Sequence, residues 1–285
     1  LLNSEKIEYI YKDINTNLNM KFILIDGSYF IYHRYYSLKT WWKNAKRDNE
    51  SPIPCENPRF IEKFKTTCKS KIKELEKIYS NESKPIIMIG KDCPSKAIWR
   101  RELFPEYKFG RKKDDSGIGE SFKLTYRENI FQESGANCIL YDNELEADDC
   151  IAITTQHIIK KYPDAEVYII TSDMDYLQLV QDRVHIYNLK GDKLTDSKNC
   201  FNDPKKDLFC KIVAGDKSDN IASVFPRCGV KTAEKYYHDM DSFKEKLESN
   251  ENYKIIYERN KTLVDFENIP QHLRRRFEQN SLMLK

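Results

Sequence analysis

Four apolar runs in this chain end on carboxylates, and no other feature narrows the fold as much. Phe22–Ile25 leads into Asp26, and Ile86–Ile89 leads into Asp92. Cys138–Tyr141 precedes Glu144, Glu146, Asp148 and Asp149, and Val167–Ile170 precedes Asp173 and Asp175. Short runs of this kind, rich in β-branched residues and bounded by polar turns, read as buried parallel strands. In an open α/β sheet, ligands lie beyond the carboxyl ends of the strands. The pattern therefore predicts many acids converging on one pocket. Crowded carboxylates repel one another and protonate unless cations neutralise them. All-oxygen donor sets suit hard divalent ions, Mg²⁺ among them. The expected chemistry is magnesium-dependent and acts on phosphate.

With 285 residues the chain has room for one large α/β domain or for a domain with a small appendage. A hydrophobic content of 40% supports a core, while 33% charged residues point to a soluble chain. No apolar run reaches the length of a membrane span, and the basic-then-apolar layout of a signal peptide is missing. The expected setting is intracellular, with no membrane partner. The eight cysteines are scattered without a Cys-x-x-Cys pair, which suits reduced thiols. The net charge of +3 averages acidic clusters against basic stretches, and that separation matters more than the sum.

Residues 1–19 read as an extension before the first strand, with Met20 as an alternative start. A catalytic α/β domain is expected over 20–202. Phe60 to Tyr79 reads as an amphipathic helix carrying Phe60, Phe64, Ile72, Leu75 and Ile78 on its apolar face. Arg100 to Asn129 lacks strand signal and interleaves Arg100, Arg101, Lys108, Arg111, Lys112 and Lys113 with aromatics such as Tyr107 and Phe109. Basic segments with aromatics suit a single-stranded nucleic acid. Asp148 to Lys161 reads as a helix with acids in its first turn and lysines in its last. From Asp203 the chain turns helical, and a smaller lobe over 203–285 is expected. There, Gly229, Lys231 and Thr232 sit where a turn delivers backbone N–H groups and a lysine to a helix N-terminus, a phosphate-binding arrangement.

The segments Leu24–Ser28, Trp99–Arg111, Glu146–Asp149, Thr171–Tyr176 and Gly215–Ile221 resemble, in order, motifs of the 5′-nuclease (flap endonuclease) superfamily. The likeness is greatest to its T-even bacteriophage members. Val264 to Pro270 resembles a late segment of those chains. The resemblance implies a PIN-like (Rossmann-like) α/β fold with a mostly parallel central sheet. A helical arch over about 100–129 and a helix-hairpin-helix lobe belong to the same expectation. It implies 5′→3′ exonuclease and flap endonuclease activity, with removal of RNA primers, on branched or nicked duplex DNA and RNA–DNA hybrid. Asp26, Asp92, Glu146, Asp148, Asp149, Asp173, Asp175, Asp216 and Asp219 match the family's acids. Lys108 and Arg111 match cations that relatives place near the scissile phosphate. Tyr32 matches an aromatic that stacks on a terminal base in cellular relatives, and equally reads as a core aromatic on a helix. The resemblance implies a monomer and leaves open a single-strand-binding protein or a sliding clamp as partner. One departure stands out. The hairpin Phe225–Ala233 is one residue longer than the family's usual pattern and carries only Gly229.

A phosphodiester repels nucleophiles, and a two-metal site answers this with ions about 3.5–4 Å apart. The expected partition gives Asp26, Asp92, Glu146 and Asp148 one Mg²⁺, and Asp149, Asp173, Asp175 and Asp219 the other, with Mn²⁺ able to substitute. Asp148 and Asp173 are expected to be catalytic with Lys108 and Arg111, and no His base or nucleophilic Ser or Cys is required. The rivals are a DNA-binding protein of the same fold without turnover, a PIN-type RNA endonuclease, and a Mg²⁺-dependent phosphotransferase. The last two leave the basic segment and the hairpin unexplained.

Overall fold

The computed structural model describes residues 20–45, 54–80, 83–111 and 117–282. The expected extension over 1–19 lies outside them, as do Lys112, Lys113 and the Asp114–Ser116 centre of the expected arch. All four apolar runs are strands: β1 (Lys21–Asp26), β2 (Ile86–Gly90), β3 (Cys138–Leu140) and β4 (Glu166–Ile170). A fifth, β5 (Val184–Tyr187), carries no acid at its end and escapes the pattern that marks the others. The strands pair in parallel in the order β3-β2-β1-β4-β5.

Alternation along β1 explains why its run is continuous. Phe22 and Leu24 pack on one face with α6 (Ala147–Lys161). Ile23 and Ile25 pack on the other with α1 (Gly27–Asn44), α2 (Pro58–Tyr79), α4 (Ile118–Arg127) and α5 (Ile130–Glu133). A strand buried on both faces needs apolar residues at every position. The expected helix from Phe60 is α2, started two residues earlier by Pro58 behind an Asn57 cap. Phe60, Phe64, Ile72 and Leu75 are buried, but Ile78 is 59% exposed, the last turn of α2 meeting the sheet instead through Tyr79, which packs on Tyr168 and Tyr187.

The basic segment begins as a short helix, α3 (Arg100–Leu103). From Pro204 the chain is helical: α7 (Pro204–Ala214), α8 (Val230–His238), α9 (Met240–Glu248), α10 (Glu251–Val264) and α11 (Gln271–Phe277). The α7–α8 hairpin closes on its own apolar cluster of Cys210, Val213, Val224, Phe225 and Ala233. The end of the chain does something different. Phe266, Ile269, Leu273 and Phe277 return to the α6 face of the sheet and complete the main core. Arg276 pairs with Asp142 and Glu144 beyond β3, so this stretch anchors to the sheet domain. No helix among the described residues is long and apolar enough to cross a membrane.

Candidate active site

Asp26 sits where β1 becomes α1. Its carboxylate caps α1 by accepting from the Tyr29 N–H at 3.0 Å, and accepts from the Thr171 hydroxyl at 3.2 Å. Thr171 follows β4, so this bond spans β1 and β4, where the strand order reverses and doubly wound sheets bind ligands. Gly27 is required by space. A Cβ there would stand 2.5 Å from the Gly90 carbonyl oxygen. Asp92 follows β2 and is aimed by the Ala147 N–H at 2.9 Å and by the Ser28 hydroxyl. Asp173 follows β4 and caps the 3₁₀ turn Met174–Leu179 through the Asp175 N–H at 2.9 Å.

Asp26, Asp92, Glu146, Asp148 and Asp173 line one cleft of ≈ 570 Å³ together with Ser28, Tyr29, Arg101, Lys108 and Arg111. Two tighter groups of carboxylate oxygens lie within 4.8 Å of one another: Glu146, Asp148 and Asp149, and Asp175, Asp216 and Asp219. The chemistry of these groups fits cations. Burial, then Asp92, pushes the Asp26 carboxyl up to about 7. Burial with Asp149 and Glu146 pushes Asp148 well above the usual carboxylate range. Burial and Asp173 raise Asp175 to about 6 despite Lys211. Acids held this unfavourably, with oxygen donors only, are the donor set a hard divalent ion takes.

Some acids already have cations from the chain. Burial works against the charge of Glu146, but Lys108 and Arg100 outweigh it and hold the carboxyl low. The Lys108 ammonium reaches Glu146 at 2.5 Å. Lys108 adopts the left-handed backbone region, φ 56°, uncommon for a residue with a side chain, and its N–H is fixed to the Asp219 carbonyl at 2.9 Å. Arg111, half-exposed at the cleft, pairs with Asp219. Lys211 of α7 bridges Asp175 and Asp216. Burial raises Asp216, but Lys211 and the Ser218 hydrogen bonds prevail and bring it to about 2. Gly215, at φ 73°, lets this loop fold so closely that a Cβ would meet the Ile221 carbonyl oxygen at 2.4 Å.

Three expectations need correction. Asp149 does not join Asp173, Asp175 and Asp219. It is fully buried beside Glu146 and accepts from Trp99 Nε1 at 2.9 Å and from both Arg100 terminal nitrogens at 2.7–2.8 Å. Its Oδ2 also accepts from the Glu146 N–H at 3.1 Å, so the protein engages this carboxylate heavily, and among the acids it groups with Glu146 and Asp148. Arg100 is not a nucleic-acid contact, being 2% exposed and bound to Asp149, Glu146 and the Leu263 carbonyl. Tyr107 is not a stacking platform. It is 3% exposed, with its hydroxyl on Glu146 and Asp219, both at 3.1 Å.

Among the described residues, the other expected contacts are exposed or half-buried. Arg101 opens onto the cleft. Tyr32 is 41% exposed, stacked on Tyr36 and edge-on to Phe122 of α4, and so is not a core aromatic. Gly229 precedes α8, and Gly229, Lys231 and Thr232 are exposed. In the glycine-poor turn Arg227 takes the left-handed position, φ 57°. Ser28, Trp99 and Thr171 stand inside the family-like segments but carry no carboxylate or cation to single them out, and Lys211 lies outside those segments. The nearest signal is that Lys211 stands one helical turn before the Asp216 loop.

The family model for the 5′-3′ exonuclease N-terminal, resolvase-like domain matches residues 21–206. The chain belongs to this family. A 5′-3′ exonuclease of Buchnera aphidicola subsp. Schizaphis graminum is 27% identical over 217 residues, which cover 74% of this chain and 67% of the relative. One from Mycoplasmopsis pulmonis is 28% identical, covering 83% and 72%. The flap endonuclease Xni of Colwellia psychrerythraea is 30% identical over 54% of this chain and 52% of its own. Among solved structures, the bacteriophage T5 flap endonuclease, in a complex with DNA and metal ions, matches with a TM-score of 0.64 at 18% identity. It covers 92% of this chain and 98% of that one, a likeness of fold.

Proposed function

We propose that this protein is a divalent-metal-dependent 5′→3′ exonuclease and flap endonuclease acting on 5′ ends, flaps and RNA primers of duplex DNA. The observation that carries the reading is the cleft at the strand-order reversal, where Asp26, Asp92, Glu146, Asp148 and Asp173 converge beside Lys108 and Arg111. Asp26, Asp92, Glu146, Asp148 and Asp173 are the residues that would hold one ion, and Asp175, Asp216 and Asp219 a second, Mg²⁺ by donor type with Mn²⁺ as substitute. When bound, such ions supply an activated water and neutralise the leaving oxygen. The chain's own part is electrostatic and geometric. Lys108, locked by its backbone and Glu146, presents an ammonium to the transferred phosphoryl group. Arg111 adds a guanidinium at the mouth, and Arg101 faces the incoming strand.

Away from the cleft, Tyr32 with Tyr36 offers a stacked aromatic face to a terminal base. The exposed first turn of α8, with Gly229, Lys231 and Thr232, suits duplex phosphates and reads no sequence. The setting proposed is the interior of the cell where DNA is replicated, with DNA as the partner. The test uses 5′-labelled flap, nicked and RNA-primed duplexes with Mg²⁺ or EDTA. Wild type should cleave in Mg²⁺ alone, and Asp148→Ala should bind the flap without cutting it. Absence of metal-dependent cleavage on all three substrates overturns the reading.

A further inference from the structure

Behind the cleft, one lysine is held in a way that its acidic surroundings do not require. Lys91 directly precedes Asp92, yet among the described residues its ammonium rests on two aromatic faces and on no carboxylate. The ring centroids of Tyr126 and Tyr141 lie 4.5 and 4.7 Å away. Lys91 does not line the cleft, so it is not placed to touch a phosphate there. Its two rings come from different elements. Tyr126 belongs to α4, the later helix of the basic segment, and Tyr141 follows β3.

The surroundings of Lys91 are tight on both sides. Its N–H donates to the Leu140 carbonyl at 3.0 Å, one residue before Tyr141. At Gly90 a Cβ would stand 2.7 Å from the Ile151 side chain and 3.0 Å from the Ala147 carbonyl oxygen. That Ala147 peptide lies at the start of α6, and the Ala147 N–H aims Asp92. The hydroxyl of Tyr126 is buried without a hydrogen-bond partner and packs against Gly27, whose Cβ would be 2.8 Å from it. No hydrogen bond of its side chain therefore registers Tyr126 on the site, and the ammonium between the two rings is the specific contact left to do so. Lys91 and both rings are half-buried, which takes the ammonium partly out of water and strengthens the cation–π attraction.

We propose that Lys91 is a positioning residue. By clamping Tyr126 and Tyr141 it holds the Asp92 loop, α4 and the β3–α6 loop in one arrangement, so that Asp92 meets the cation pre-aimed. The clamp also ties the later helix of the basic segment to the metal-holding end of β2. This rests on the reading of Asp92 as a metal-holding residue in the proposed function. Groups that orient a metal-holding side chain act on affinity for the ion as well as on turnover.

The test is titration of each protein with Mn²⁺, free ion being followed by its paramagnetic resonance signal, for wild type, Lys91→Met, Lys91→Arg, Tyr141→Leu and Tyr141→Phe. Lys91→Met and Tyr141→Leu should bind the ion about tenfold more weakly, in the range for lost orienting partners. Lys91→Arg and Tyr141→Phe, which keep a cation and a ring, should stay within about twofold of wild type, the arginine stacking in place of the ammonium. The Tyr141 pair decides the matter if a Lys91 variant fails to fold. Equal affinity in wild type, Lys91→Met and Tyr141→Leu overturns the proposal alone. So does an Arg or Phe variant as weak as its partner. A wild-type protein that binds no Mn²⁺ sinks the metal reading and the clamp together.

Discussion

Arg100 and Asp149 form the ion pair on which the neighbouring acids lean. Arg100 is 2% exposed and Asp149 fully buried, so neither charge is screened by water. Removing one partner of such a pair leaves the other charged and dry, a loss of about 3–5 kcal/mol. Arg100→Ala should therefore lower the unfolding free energy in urea by that order, whereas Arg101→Ala should leave stability near wild type and weaken flap binding instead. The contrast explains what was legible here. Asp26, Asp92, Glu146, Asp148 and Asp173 announce themselves because apolar runs end on them. Arg100 and Arg101 are adjacent basic residues in one polar segment, and only tertiary packing against Trp99, Asp149 and Leu263 separates the fully buried one from the half-buried one at the cleft. Lys211 was hidden for the same reason. Its partner Asp175 is brought to it by the fold, across the 3₁₀ turn that α7 packs on.

Strands and helices were readable wherever periodicity is local. Four strands and the helices α2 and α6 follow from the sequence almost to the residue. β5 is not legible in the same way, because its short Val-His-Ile-Tyr run lacks the acids that mark the others. Strand order is set by crossovers, and no local pattern carries it. The hairpin is an intermediate case. The sequence places the phosphate-facing turn before α8, and the structure shows Arg227 standing in the left-handed position that a glycine would take at lower strain. If α8 grips duplex phosphates through its first turn, Lys231→Ala should weaken binding equally on all sequences. It should also reduce the slope of log affinity against log salt by about 1, measured by fluorescence anisotropy across a salt series.

For the molecule as a whole, the acid cluster has a cost that depends on pH. Asp26, raised from 3.8 to about 7, and Asp175, raised to about 6, bind more protons folded than unfolded between about 4 and 7. Stability of the metal-free protein must then fall as pH rises through that window. The Asp26 shift alone corresponds to about 4 kcal/mol. Asp216, lowered to about 2, acts oppositely and contributes stability that is present above its unfolded value and lost as pH falls through about 2. Thermal melting in EDTA should show the midpoint dropping from pH 5 to pH 8. Millimolar Mg²⁺ should restore it far more at pH 8 than at pH 5.

The central claim is that separate strand ends deliver carboxylates to paired divalent ions beside a scissile phosphate. The most direct measurement is the number of Mn²⁺ ions bound per chain on a non-cleavable flap substrate. The account predicts two for wild type, and one for a variant in which Asp175, Asp216 and Asp219 are all changed to asparagine. A wild-type chain that binds none on its substrate, or a triple variant that still binds two, would contradict it.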